Sequence, residues 1–181
     1  EAVEVNDQIS TDIVDQVSRK LSEVGLADIK HIPSIKWNEL NDKISSKYSK
    51  EYFVYCYGGC IKIVSRSNSL KELERTSELL KQLQSKNKGK NCVVVGNGPS
   101  LNKHDFNAFK DCFFIGSNYI YLNYKKMGFL PGIISATNYL VVEQRLADFV
   151  DLKTNVILPL YMYNEVGSHP NVFYLNINHE K

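Results

Sequence analysis

Cys92-Val-Val-Val95 runs straight into Gly96-Asn97-Gly98-Pro99-Ser100-Leu101, and the fold turns on how that junction is read. Four apolar residues without a polar interruption suit a strand buried on both faces. The glycines and proline that follow mark a turn into a helix. Cys112-Phe-Phe-Ile115, Gly132-Ile-Ile134 and Val156-Ile-Leu158 repeat the apolar run at intervals of about 20 residues, and Val172-Phe-Tyr-Leu175 is a fifth candidate. Segments such as Asn138 to Phe149 are long enough for a crossover helix. The expectation is an α/β fold, a Rossmann-like parallel sheet with helices on both faces and right-handed crossovers.

Upstream the pattern changes to a smaller α+β region. Ile9, Ile13, Val17, Leu21 and Val24 recur at helical spacing before Gly25, and Trp37, Leu40 and Ile44 repeat the signature after Pro33. Residues 52–57 and 60–64 read as two strands around Gly58-Gly59. Such a hairpin would pair Cys60 with Tyr57, so Cys56 and Cys60 would share neither a disulfide nor a zinc ion. Ser69 then opens a helix with Glu72 as its capping-box partner and Leu70, Leu73, Leu80 and Leu83 on one face. The polar, basic stretch Ser85 to Lys90 sets the expected boundary: region 1–88, then a nucleotide-binding domain over 89–181. With four or five strands, that domain reads either as the front part of a longer protein, incomplete at its carboxyl end, or as one that has lost its catalytic half.

Composition excludes several classes. The 181 residues are 43% hydrophobic and 23% charged with a net charge of +2, which argues against disorder and against a nucleic-acid or anionic-membrane partner. No apolar run reaches the roughly 18 to 20 residues of a transmembrane span, and the acidic start Glu-Ala-Val-Glu-Val is not a signal peptide. Four cysteines do not make a disulfide scaffold; Cys92 and Cys112 sit in apolar runs as small hydrophobes, and a cytoplasmic location is expected.

The junction loop carries the chemistry. Gly96 and Gly98 permit positive φ and close backbone approach to a ligand, and Pro99 suits the first helical position. The N–H groups of Ser100, Leu101 and Asn102 at a helix start would then face a phosphate, with Asn97 and Ser100 as side-chain donors. A nicotinamide fingerprint fits poorly, because Leu101 replaces its third glycine and Asn118 stands where a ribose-binding carboxylate is usual. A bare tight turn is the alternative. Asn118 and Asn138 each follow an apolar run, so both should reach the same sheet edge, as ligand contacts, helix caps or both.

Val-Val-Gly-Asn-Gly-Pro-Ser-Leu-Asn, then Ile-Gly-Ser-Asn-Tyr-Ile-Tyr-Leu, then Ala-Thr-Asn-Tyr-Leu-Val-Val-Glu-Gln resemble a group of bacterial carbohydrate-active proteins over about residues 91–145. One branch is the sialyltransferases, which bind CMP-sialic acid in a Rossmann-like fold without a metal; another is described as hydroxymethylpterin diphosphokinase-like. The resemblance implies a nucleotide-sugar-dependent transferase with no cofactor, acting on a glycan acceptor in polysaccharide biosynthesis. Gly96, Asn97, Gly98, Pro99 and Ser100 would hold the nucleotide, with Asn118 and Asn138 lining its pocket. The sialyltransferase serine- and glycine-rich second loop, base-region tyrosine pair and catalytic histidine find no match before Lys181.

No catalytic residue is assigned. His31, His104, His169 and His179 are the histidines, and none sits convincingly at the loop. The diphosphokinase alternative would need magnesium, for which Asp105, Asp111 and Glu143 are the nearest carboxylates. Tyr119, Tyr121, Tyr124 and Tyr139 read as packing with one ring free to stack on a base. Lys86, Lys88 and Lys90 read as a solvated linker. A third alternative is a non-catalytic nucleotide-binding or oligomerisation module, assembling through the N-terminal helices.

Overall fold

A computed structural model of the chain describes residues 3–4, 19, 50, 52–57 and 60–177. The two helices expected before residue 50, the Gly58-Gly59 turn, His31 and His179 lie outside the described residues. The chain divides into two compact units, Glu1–Lys71 with Tyr163–Glu165, and Glu72–Met162 with Val166–Lys181.

In the first unit β1 (Val3–Glu4), β2 (Tyr52–Tyr57) and β3 (Cys60–Ser65) form a sheet in the order β1-β3-β2. Tyr57 pairs with Cys60 and Cys56 with Ile61, the register expected of the hairpin. Lys62, 5% exposed, forms an ion pair with Glu165. A buried ammonium without such a partner would be costly.

The helix α1 spans Arg66–Lys86, three residues earlier than its capping signal suggests. Ser69 is inside it, with its hydroxyl donating to the Ser65 carbonyl. Glu72 accepts from Arg75 instead of closing a capping box. Leu70 and Leu80 are exposed, while Leu79 and Leu83 pack on the sheet below. The buried face of α1 therefore includes Glu72 and Thr76, which no hydrophobic pattern reveals.

That sheet consists of β4 (Cys92–Val95), β5 (Phe113–Ser117), β6 (Ile133–Ser135), β7 (Asn155–Pro159) and β8 (Val172–Leu175). All four pairings are parallel and the order is simply β4-β5-β6-β7-β8. Right-handed crossovers that advance in one direction all fall on one face. On that face Phe106 and Phe129 close on Phe114, at ring separations of 6.3 and 4.4 Å. Ile120 and Pro131 cover Gly116, where an added Cβ would lie 2.5 Å from the Ile120 methyl.

The other face, with Phe113, Ile115, Ile133, Ile157 and Phe173, is covered by Leu79 and Leu83 of α1. Helices thus flank both faces, one set by crossovers and the other by the preceding helix. The compact unit begins at Glu72, so the division falls inside α1 and not in the Ser85–Lys90 linker. No helix among the described residues is long and apolar enough to cross a membrane.

The connections are shorter than the expected crossover helices. Between β4 and β5 there are only 3-10 turns at Pro99–Lys103 and Phe106–Phe109. After β5 come a 3-10 stretch, Asn118–Asn123, and α2 (Tyr124–Met127). After β6 come α3 (Tyr139–Gln144) and α4 (Leu146–Asp151), broken at Arg145. A 3-10 turn at Leu160–Met162 and α5 (Tyr163–Val166) follow β7.

Candidate functional site

The carboxyl ends of β4, β5 and β6 lie side by side, and with them the three asparagine-bearing segments. Val95 pairs with Gly116 and Ser117 with Ser135, which sets residues 96–100, 117–118 and 136–138 along one edge. Asn97 reaches across the gap, its amide donating to the Ser117 carbonyl at 3.3 Å. Ser117 is absent from the sequence expectations, yet its carbonyl holds Asn97 and its hydroxyl lies nearest Gly96. Its only signal was its place between an apolar run and Asn118.

The loop differs from the anion cradle expected of it. Neither Gly96 nor Gly98 has positive φ; Gly98 is extended, at φ −65° and ψ 155°. Pro99 does open a helical segment, but a five-residue 3-10 turn. The Leu101 N–H is already spent on the Gly98 carbonyl at 3.0 Å. A turn this short sums few peptide dipoles, so the helix-start contribution to anion binding is lost. Residues 96–100 are all exposed, whereas Leu101 is buried beneath them. The expected crevice of a doubly wound sheet forms where strand order reverses. The order here has no reversal, and β4 is outermost, among the described strands.

What the two glycines do have is space. A Cβ on Gly96 would meet the Ser117 hydroxyl at 3.8 Å, and one on Gly98 the Ser100 hydroxyl at 3.6 Å, both ordinary contacts. Neither backbone conformation nor packing demands glycine at these positions.

Asn118 is the one non-glycine residue with positive φ among those described, at 51°. It occupies the first position of the 3-10 stretch, and Ser117 takes the cap position. A left-handed residue costs of order 1 kcal/mol and persists where its surroundings hold it. Asn138, in contrast, is a cap: its side-chain oxygen accepts from Leu140 N–H at 3.0 Å and Val141 N–H at 3.4 Å. The cap uses the side-chain oxygen.

The tyrosines mostly pack. Tyr119 donates to the Val141 carbonyl at 2.7 Å and Tyr121 to Asp148 at 2.9 Å, with both rings against Phe149. Tyr139 donates to Glu143, and Tyr124 is exposed. Burial, then the Asp148 hydrogen bond, pushes the Tyr121 phenol up to about 12. The hydrogen bonds from Arg145 and then Tyr121 hold the Asp148 carboxyl below its usual value.

His104 ends the first 3-10 turn and is exposed. His169 precedes β8 at the amino end of the sheet, with its Nδ1 buried and unpartnered. Asp105 caps the turn after it by accepting from Asn107 N–H at 3.0 Å. Asp105, Asp111 and Glu143 do not converge, and no group of three His, Cys, Asp or Glu suited to a metal ion occurs among the described residues. Cys92 and Cys112 are free thiols, and Cys92 is exposed, not buried as its apolar context suggested.

Two open grooves, of about 440 and 620 Å³, lie at the amino ends of the strands beneath the last turns of α1. They share Leu83, Asn87 and Phe113 and are at the opposite end of the sheet from the glycine loop. No family model, curated protein or solved structure matches the chain.

Proposed function

We propose that the carboxyl edge of β4, β5 and β6 is the donor site of a nucleotide-sugar-dependent glycosyltransferase, with a Rossmann-like sheet and a CMP-linked sugar as donor. The observation that carries this reading is the glycine pair. Gly96 and Gly98 adopt backbone geometry open to any residue and have room for a side chain, so the fold gains nothing from glycine there. Close approach of a ligand to the bare backbone is a physical reason for glycine at both positions, beside the helix-cap position that Gly98 occupies. Asn97, Ser100, Asn118 and Asn138 supply neutral donors and acceptors around it, suited to a phosphodiester, a ribose and a pyrimidine edge.

In the reaction an acceptor hydroxyl of a glycan attacks the anomeric carbon as its bond to the CMP oxygen breaks. The hydroxyl proton passes to a general base, and the loop donors stabilise the charge developing on the departing phosphate. Free thiols at Cys92 and Cys112 suit a reducing compartment such as the cytoplasm.

Thermal shifts with CMP, CDP, UDP, GDP, ATP-magnesium and NAD test the reading. A ligand at 100 times its Kd stabilises the fold by about 2.7 kcal/mol. Cytidine nucleotides should raise the Tm selectively, and Asn97→Ala should abolish that rise without lowering the Tm of the free protein. A response confined to ATP-magnesium would replace this reading with the pterin diphosphokinase chemistry. Silence across the panel would overturn nucleotide binding altogether.

A further inference from the structure

Lys86, Lys88 and Lys90 follow one another from the end of α1, and Lys153 stands far along the chain, just before β7. The fold brings all four to the amino ends of the strands. Lys86 and Lys153 line the groove of about 440 Å³, and Lys88 and Lys90 line that of about 620 Å³. Both volumes fall in the range of small-molecule sites.

No carboxylate lines either groove, although the whole chain sets 20 acidic residues against 22 basic ones. None of the four ammonium groups has an ion-pair partner among the described residues. Compensation of the α1 dipole accounts for one of them, because only Lys86 falls in its last turn. The neutral polar side chains serve the main chain instead. In the smaller groove Asn155 donates to the Gly132 carbonyl at 3.0 Å, Asn171 to the Leu152 carbonyl and Thr154 to the Pro131 carbonyl. Asn87, common to both grooves, donates to the Leu83 carbonyl at 2.9 Å. The lysines have no such duty.

The apolar wall is continuous. Leu83 and Phe113 belong to both grooves, and Leu80 and Ile133 extend the wall into the larger one. The Phe113 ring lies against Gly132, where a Cβ has no room.

We propose that the two grooves together bind a single-chain organic phosphate, its head between Lys86 and Lys153 and its apolar body along Leu83 and Phe113 into the larger groove. Charge selects the head group. Two ammonium groups match the roughly −1.5 to −2 of a phosphate monoester at neutral pH, whereas a carboxylate would leave one uncompensated. Lys88 and Lys90 add longer-range attraction at the neighbouring opening. The site is at the opposite end of the sheet from the glycine loop and does not rest on the donor-site reading.

Calorimetry on the full chain with octyl phosphate, octanoate, inorganic phosphate and octyltrimethylammonium tests it. Octyl phosphate should bind saturably, octanoate and inorganic phosphate roughly ten-fold more weakly, and the ammonium compound not at all. The Lys86→Ala/Lys153→Ala double variant removes two exposed, unpaired side chains and should keep its circular dichroism. Its affinity for octyl phosphate should fall at least roughly ten-fold, the size expected for one charge-assisted hydrogen bond. Undiminished affinity in that folded variant overturns the placement of the head. Absence of saturable binding, or equal binding of octanoate or of the ammonium compound, overturns the site. Cys92 is exposed and lines the larger groove, so it reports on the apolar body. Octyl phosphate, but not inorganic phosphate, should slow its alkylation by iodoacetamide, read by peptide mass spectrometry; an unchanged rate overturns the course of the chain. Sedimentation with phosphatidic acid vesicles, alongside silence toward octyl phosphate, would give the lysines to a membrane surface and overturn the groove ligand.

Discussion

Gly98 separates what a residue does for the fold from what it does for a ligand. Its φ of −65° and the 3.6 Å clearance for a Cβ mean that Gly98→Ala is conformationally free. The substitution should leave stability unchanged or raise it by about 0.4–1 kcal/mol, because it restricts the unfolded chain. A ligand lying on the loop would meet the new methyl, so CMP affinity should fall while the Tm of the free protein does not. Undiminished affinity in Gly98→Ala would move the ligand off this loop. Tyr121 makes a second prediction at this scale. Its phenol is raised from 10.0 to about 12, so the folded state prefers the neutral form. That stabilisation is complete below about pH 10 and is lost as the pH climbs toward 12, amounting to about 3 kcal/mol. Tyr121→Phe should flatten this alkaline decline in urea-unfolding free energy; an unchanged slope would assign the decline elsewhere.

At the scale of single elements, α1 shows why part of the structure was not legible in the sequence. Its leucines suggested a face through positions 70, 73, 80 and 83, but the buried face runs through Glu72, Thr76, Leu79 and Leu83. Thr76 and Arg75 are turned inward, where they bond the Tyr174 N–H and the Val172 carbonyl of β8, a demand that exists only once β8 has been placed. Thr76→Val keeps the shape and removes the acceptor, leaving a buried N–H unsatisfied. A loss of 1–3 kcal/mol is expected for that group, read as a lower urea midpoint, while Thr76→Ser should lose much less. Equal stability of the valine variant would show that the bond contributes nothing. The first crossover carries the complementary lesson: Gly-Asn-Gly-Pro correctly marked a turn into a helical segment, but that segment closes as a five-residue 3-10 turn. Helix length here depends on what the turn packs against, which local spacing does not encode.

For the whole molecule, the position of the boundary has an experimental consequence. A fragment starting at residue 89, as the linker composition suggested, leaves Phe113, Ile115, Ile133, Ile157 and Phe173 without the helix that covers them. It should aggregate or melt without cooperativity, whereas a fragment starting at residue 66 retains α1 and should show a cooperative transition. Equal melting of the two would show that the sheet is stable without α1. The apolar area involved explains the expectation, since a large aromatic or aliphatic side chain loses about 1.5–3 kcal/mol when exposed.

The strands were legible because each is a short apolar run bounded by turn residues, and a parallel strand buried on both faces must be such a run. Cys92–Val95, Phe113–Ser117, Ile133–Ser135, Asn155–Pro159 and Val172–Leu175 all fall within a few residues of their sequence signals. The glycine loop and the two asparagines were also found by position alone, since parallel strands send all their carboxyl ends to one edge. By itself, then, the sequence determined the strands, the parallel sheet and the edge on which its polar loops gather, while the crossover helices it suggested close as short turns. Strand order belongs to the tertiary structure. Nothing local to Cys92–Val95 says whether it lies at the centre of the sheet or at its rim, because both positions are apolar. Packing decided that β4 is outermost among the described strands, that Cys92 is exposed, and that α1 belongs with the sheet. It did so because burial of a face and satisfaction of main-chain groups are properties of neighbours far apart in the chain.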